Sequence, residues 1–311
     1  MRKWVGLGMG IALALACLSG CALSDPRISG TPPTPTVSAL VTAAQATAPT
    51  LQAAWQAVAG LARFDPANTG WAAAATTLRD QWRVLVGPDP ISRFAADADP
   101  GTPLTVSSAE GGLSAADAAL TAARDAALAE LESTPGLPAV FWAGLAAGVE
   151  QVRQGLTLTY GPATPANPAV TVAITDETAA WTTLISRYDE TVFALDAATG
   201  FFDPADPDRQ QFPVIRAALH TDRAALAGLA DAVNATPPEP AGIYELPPEH
   251  DAAAARALLA ASQQRLVEAA AVWVASAADP TLAAPYLLKT ATLTLDHGTG
   301  WAEWPGWPDA S

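Results

Sequence analysis

Trp181-Thr-Thr-Leu-Ile-Ser-Arg-Tyr188-Asp-Glu-Thr-Val-Phe-Ala-Leu195 decides the fold. Trp181, Ile185, Tyr188, Val192 and Leu195 recur at alternating steps of four and three, which lays one apolar stripe along an α-helix. The same periodicity extends in both directions. Segments at 38–63, 67–86, 114–133 and 137–156 read as four helices, and those at 175–200, 210–233, 250–277 and 281–301 as four more. Breakers separate them, among them Phe64-Asp65-Pro66, Gly87-Pro88-Asp89-Pro90, Asp203-Pro204 and Asp279-Pro280. Half of the residues are hydrophobic and 15% are charged, so a sizeable core is available. Much of that apolar content is alanine, which favours close-packed helices over a β-sandwich.

The two sets of four helices resemble each other. Phe64-Asp65-Pro66 recurs 138 residues on as Phe202-Asp203-Pro204, and Leu128 and Glu130 recur as Leu266 and Glu268 at the same offset. Leu78 and Leu85 match Leu219 and Leu226 at 141, and Leu137 matches Leu282 at 145. The drift falls where loops absorb insertions. In both sets the longest connection joins the second helix to the third. One long crossover is the ferritin-like arrangement rather than a plain up-down bundle. The sequence therefore predicts an all-α protein of two tandem ferritin-like four-helix bundles, related by internal duplication, at 37–158 and 173–311 with a linker at 159–172.

The N-terminus predicts location. Arg2 and Lys3 precede an apolar run from Trp4 that ends in Leu18-Ser19-Gly20-Cys21, the pattern of a bacterial lipobox. Residues 1–20 read as a lipoprotein signal peptide and Cys21 as the acylated new N-terminus. A tether rich in Pro, Ser and Thr follows at 21–36, able to reach roughly 45 Å if extended. The predicted location is the extracytoplasmic face of the cell membrane, held by lipid. Cys17 leaves with the leader, so the mature chain has no disulfide and no free thiol. Cleavage also removes Arg2 and Lys3, leaving 14 basic against 31 acidic residues and a net charge of −17. That charge disfavours nucleic acid and anionic lipid as partners.

A more specific likeness lies in the second half. Tyr188-Asp-Glu-Thr-Val-Phe-Ala-Leu-Asp196, His220-Thr-Asp-Arg-Ala-Ala-Leu226, Ile243-Tyr-Glu-Leu-Pro247 and Trp301…Trp304-Pro-Gly306 stand in order over residues 173–311. Together they resemble an uncharacterised ferritin-like domain family of actinobacterial proteins. The resemblance implies a four-helix ferritin-like fold and no assigned activity.

A di-iron centre in such a fold takes a Glu-x-x-His from each of two helices and a carboxylate from each of the others. Here His220 and His297 stand on helices, but Ala217 and Thr294 occupy the positions three before them. Arg79 and Val152 occupy the matching positions of the first half. Glu190 and Glu268 read as solvated surface, turned away from the apolar stripe. Asp222 is out of place, because it interrupts the stripe Ile215, Leu219, Leu226, Leu229 and Val233. A buried carboxylate needs a partner, and Arg223, Tyr188 or His297 is the expected one. The candidate buried polar cluster is thus Asp222, His297, Tyr188 and His220, with no metal and no cofactor expected. His250 lies in a Pro-rich loop and reads as exposed. Trp301, Trp304 and Trp307 read as a tail folded back to cap a bundle, with an exposed aromatic platform as the alternative.

The mature chain carries no H-E-x-x-H, C-x-x-C, G-x-S-x-G or phosphate loop. The predicted function is a non-catalytic binding or structural module of the cell envelope, with the membrane and an envelope protein as partners. The alternatives are a carrier of a small apolar ligand between helices, and a degenerate ferritin-like metal-binding protein or oxidoreductase.

Overall fold

The Phe-Asp-Pro breaker folds into the same turn twice. In a computed structural model of the chain, Asp65 Oδ1 accepts from Ala67 N at 3.2 Å and Asp203 Oδ1 from Ala205 N at 2.8 Å. Asp65 O accepts from Asn68 N at 3.1 Å and Asp203 O from Asp206 N at 2.9 Å. Asn68 and Asp206 then cap the next helix, accepting from Gly70 N at 3.1 Å and Asp208 N at 2.9 Å. Each of these pairs is 138 residues apart in sequence. An Asx turn followed by an N-cap supplies acceptors to backbone N–H groups that the helix itself leaves unpaired.

The structure describes residues 37–92, 95–156, 172–241, 244, 251–293 and 302–307. They form an all-α architecture: α1 (Val37–Phe64), α2 (Thr69–Leu85), α3 (Ala109–Ala129), α4 (Leu137–Gly155), α5 (Glu177–Ala198), α6 (Pro207–Ala227), α7 (Ala252–Ser276) and α8 (Pro280–Thr292). Two short 3-10 turns continue α3 and α5. The leader, Cys21, the tether, residues 157–158 of the first predicted bundle, residues 159–171 of the predicted linker, and His250, His297 and Trp301 lie outside the described residues.

Three helices differ in extent from expectation. Helix α3 starts five residues early, because Ser108 Oγ accepts from Gly111 N. Helix α6 starts at Pro207, whose missing N–H costs nothing at the first turn beside the Asp206 cap. It ends at Ala227, and residues 228–234 continue as turns. Helix α8 stops at Thr292, where two glutamine side chains take over its last carbonyls: Gln151 donates to Ala291 O at 2.5 Å and Gln263 to Leu293 O.

Packing follows one order in each half. Helix α1 lies against α2 and α3, and α4 against α3; helix α5 lies against α6 and α7, and α8 against α7. Helix α4 also touches α2, closing a ring of four. On its other side α4 packs against α7 and α8. Every residue from Pro138 to Glu150 is buried, as expected of a helix that is apolar around its whole circumference. Trp142, Trp181, Trp273, Tyr188 and Phe141 are the largest fully buried side chains. None of the described helices is long and apolar enough to cross a membrane.

The last described segment is held between the halves. Gly144 and Gly148 face it from α4: a Cβ on Gly144 would stand 2.9 Å from Pro305 O, and one on Gly148 2.7 Å from Glu303 O. Gln81 of α2 donates to Glu303 O at 2.6 Å. Trp304 stacks on Phe141 with ring centroids 5.2 Å apart, and Trp307 meets the same ring edge-on at 5.7 Å. Gly306, at φ +74°, turns the chain where a Cβ would strike Ala271 and Leu287. Trp304 and Trp307 are therefore packed and buried, as a cap.

Candidate functional site

Of the residues singled out in the sequence, Asp222 and Tyr188 lie near each other, His220 faces outward, and His297 is outside the described residues. Asp222 is half-buried, and its partner is a residue the sequence analysis did not consider: Lys289 of α8, whose Nζ lies 2.6 Å from Asp222 Oδ1. The same ammonium stands 5.2 Å over the Tyr286 ring. Arg223, one of the expected partners, turns to Asp189 of α5 instead, with contacts of 2.5 and 3.0 Å. Tyr188 is buried beside this group, and its hydroxyl has no hydrogen-bond partner. Burial, and after it the Asp222 charge, pushes the Tyr188 phenol far above the usual range, so it stays neutral. His220 is exposed on the outer side of α6. The narrow apolar stripe of that helix, Phe212, Leu219 and Leu226, leaves the position next to Leu219 facing water.

Glu190 corrects a second expectation. It is not a solvated carboxylate, because its side chain keeps only 19% of its exposure. It pairs with Arg187 on its own helix and with Arg265 of α7 at 2.7 Å. Position 190 falls on the seam between α5 and α7, a face that the apolar stripe alone does not reveal. Glu268 is half-buried and accepts from Gln264 one turn back, at 3.2 Å. The first two motifs of the family resemblance thus meet in space through Asp189 of one and Arg223 of the other.

The strongest charge network was missed. Glu150 sits at the end of the buried run of α4 and receives Arg124 of α3 at 3.0 Å, Arg153 at 2.7 and 2.8 Å, and Gln154 at 3.0 Å. Arg153 reaches on to Asp117 at 2.9 Å. Burial alone would raise the Glu150 carboxyl, but hydrogen bonds from Arg153, Gln154 and Arg124 outweigh it and bring it down to about 2. The signal available in sequence was a lone carboxylate closing an otherwise apolar helix, with Arg three residues later.

These arrangements do structural chemistry. Glu150, Asp189, Glu190 and Asp222 are each matched by a cation on a neighbouring helix. Among the described residues no group of three or more His, Cys, Asp or Glu side chains is placed to hold a metal ion. A ferritin-like di-iron centre needs bridging carboxylates facing one another, and here the inward carboxylates face arginine or lysine.

One open groove of about 510 Å³ lies where the end of α5 passes the start of α6. Leu195, Asp196 and Thr199 form one wall, and Arg209, Phe212, Pro213 and Arg216 the other.

Comparison with known proteins finds no family model, no curated protein and no solved structure that matches the chain.

Proposed function

We propose that this chain is a lipid-anchored cell-envelope protein whose helical body serves as a non-catalytic binding or structural module. One observation carries the reading of the body. Among the described residues, Glu150, Asp189, Glu190 and Asp222 at the helix seams are each paired with Arg or Lys of a neighbouring helix, which supports a role in holding the helices together. The anchor rests on the sequence, where Leu18-Ser19-Gly20-Cys21 closes an apolar leader. We further infer that the body descends from a duplicated ferritin-like bundle. The repeated Asx turns support this, as does the helix order α2-α1-α3-α4, with its long second connection, mirrored by α6-α5-α7-α8.

The anchor is tested by Cys21→Ala in cells, which releases the protein from the membrane fraction or leaves it unprocessed. A variant that partitions and migrates as wild type overturns this part of the reading. The body is tested by elemental analysis of the protein as purified. Stoichiometric iron, manganese or zinc that is lost in His220→Ala and His297→Ala would replace the proposal with the metal-binding alternative.

A further inference from the structure

We infer that the groove between α5 and α6 binds a small organic anion, with a carboxylate or like group on the arginines and a short apolar body along the wall between them. The inference deepens the binding half of the proposed function and is independent of the lipid anchor. The lining combines apolar surface from Leu195, Phe212 and Pro213 with the guanidinium groups of Arg209 and Arg216. A volume of about 510 Å³ falls within the range of small-molecule sites.

The arginines point to an anion because they have capacity to spare. A guanidinium has five N–H donors in a planar fork that matches a carboxylate. Arg209 donates once, to Phe202 O at 2.8 Å, and pairs with no carboxylate among the described residues. Most other arginines of this strongly acidic chain are tied to an Asp or Glu. Arg216 has one such partner, Asp196 at 3.1 Å, and both side chains are about half exposed. An exposed pair of that kind contributes little and is readily exchanged for a ligand.

The fold keeps the two arginines aligned. They stand seven residues apart on α6, about two turns and roughly 10 Å along one face. Phe212 is fixed between them, buried edge-on against Phe202 at 5.3 Å. Pro213 adds its ring to the apolar part of the wall between them. Leu195 and Thr199, one turn apart at the end of α5, complete the slot, and Thr199 spends its hydroxyl on Leu195 O at 2.8 Å.

The test is isothermal titration of the purified full chain with 4-phenylbutyrate, with its neutral amide, and with inorganic phosphate. Saturable binding of the acid is expected, with the amide weaker by about tenfold to a hundredfold, the scale of a charge-assisted hydrogen bond. Phosphate, lacking the apolar body, is expected to bind more weakly than the acid. Arg209→Gln should weaken the acid by a similar factor and Arg216→Gln by less, while Arg63→Gln, on another helix, changes nothing. Equal affinity for acid and amide, no saturable binding, or unchanged binding in Arg209→Gln overturns the inference. The acid-to-amide comparison uses the unaltered chain, so a folding defect in a variant cannot rescue or spoil it. Membrane release of Cys21→Ala reads the anchor separately.

Discussion

Gly148→Ala tests whether the C-terminal segment holds the halves together. Taken alone, the substitution should stabilise: alanine in a helix interior is better than glycine by about 1 kcal/mol. The surroundings reverse the sign. A Cβ at 148 would stand 2.4 Å from Gln81 Nε2 and 2.7 Å from Glu303 O. The glutamine amide is the end of a flexible side chain and can turn. The carbonyl is backbone, fixed by the 2.6 Å bond from that same amide and by Trp304 stacked on Phe141. Relieving the contact breaks the bond in a buried seam, at about 1–3 kcal/mol, or leaves overpacking of similar size. After the propensity gain, a net loss of up to about 2 kcal/mol is expected.

The assay is guanidinium unfolding followed by far-ultraviolet circular dichroism, on a cycle of four chains. These are the parent, Gly148→Ala, a chain ending at Trp301, and the two changes combined. In the shortened chain Glu303 is gone, Gln81 can swing aside, and the alanine should stabilise by up to about 1 kcal/mol. The coupling between the two changes should therefore equal the cost of the contact itself, about 1–3 kcal/mol. Gly148→Ala that destabilises both backgrounds equally would refute the reasoning, because the clash would then belong to Gln81 and not to the segment.

Residues 37–158 expressed alone should be helical but aggregate, because α4 would expose the face it turns to α7, α8 and Trp304; co-expression with 170–311 should restore solubility, and a monodisperse first half would count against this. Asp222→Ala should cost no more than about 1 kcal/mol by denaturant midpoint, since Lys289 is 45% exposed, and a loss above about 2 kcal/mol would mean the pair is more deeply desolvated than its geometry implies. Glu150 is held down at about 2, so its stabilisation is fully present above the ordinary value of 4.5 and is lost as pH falls from there through about 2. Glu150→Gln should remove about 1–3 kcal/mol at neutral pH and flatten that acid limb; an unchanged limb would place the titration elsewhere.

The helices were legible because their signals are local. Apolar steps of three and four, Asp and Asn before the first turn, and Pro or Gly between segments act within a few residues. The recurring turn was legible for the same reason: Asp65 and Asp203 make the same local bonds. What failed to show was long-range. Lys289 stands 67 residues from Asp222 and on another helix, so no spacing rule joins them. Arg223 lies next to Asp222 in sequence, yet its fork is taken by Asp189 across the α5–α6 seam. Glu190 was misread because a stripe drawn through Tyr188 marks the face toward one neighbour, and α5 has more than one. The groove was invisible for a similar reason: Asp196 and Arg216 meet only after the turn at Asp203 brings α6 back along α5.

A matching place in the packing order does not by itself give two helices equal roles. Helices α4 and α8 each carry Pro in the first turn and pack against the helix before them, but their caps and surfaces differ. Helix α4 is buried from Pro138 to Glu150, whereas α8 is shorter and keeps Leu282 and Lys289 at the surface. The difference follows from where the chain goes next. After α8 it runs back across α4, and residues 303–307 occupy the side where a charged face would otherwise meet water. Once that side is covered, polar residues on α4 would be buried without partners, at a cost of about 1–3 kcal/mol each. Selection for foldability then favours Phe141, Trp142 and the two glycines there, and the one carboxylate that remains, Glu150, sits at the end of the run where Arg124 and Arg153 can reach it. On this reasoning α4 should be the least tolerant helix of the chain. Charge substitutions at Ala143 or Ala147 should abolish soluble expression, while the same charges at Ala217 or Ala224, exposed on α6, should leave yield and unfolding midpoint unchanged.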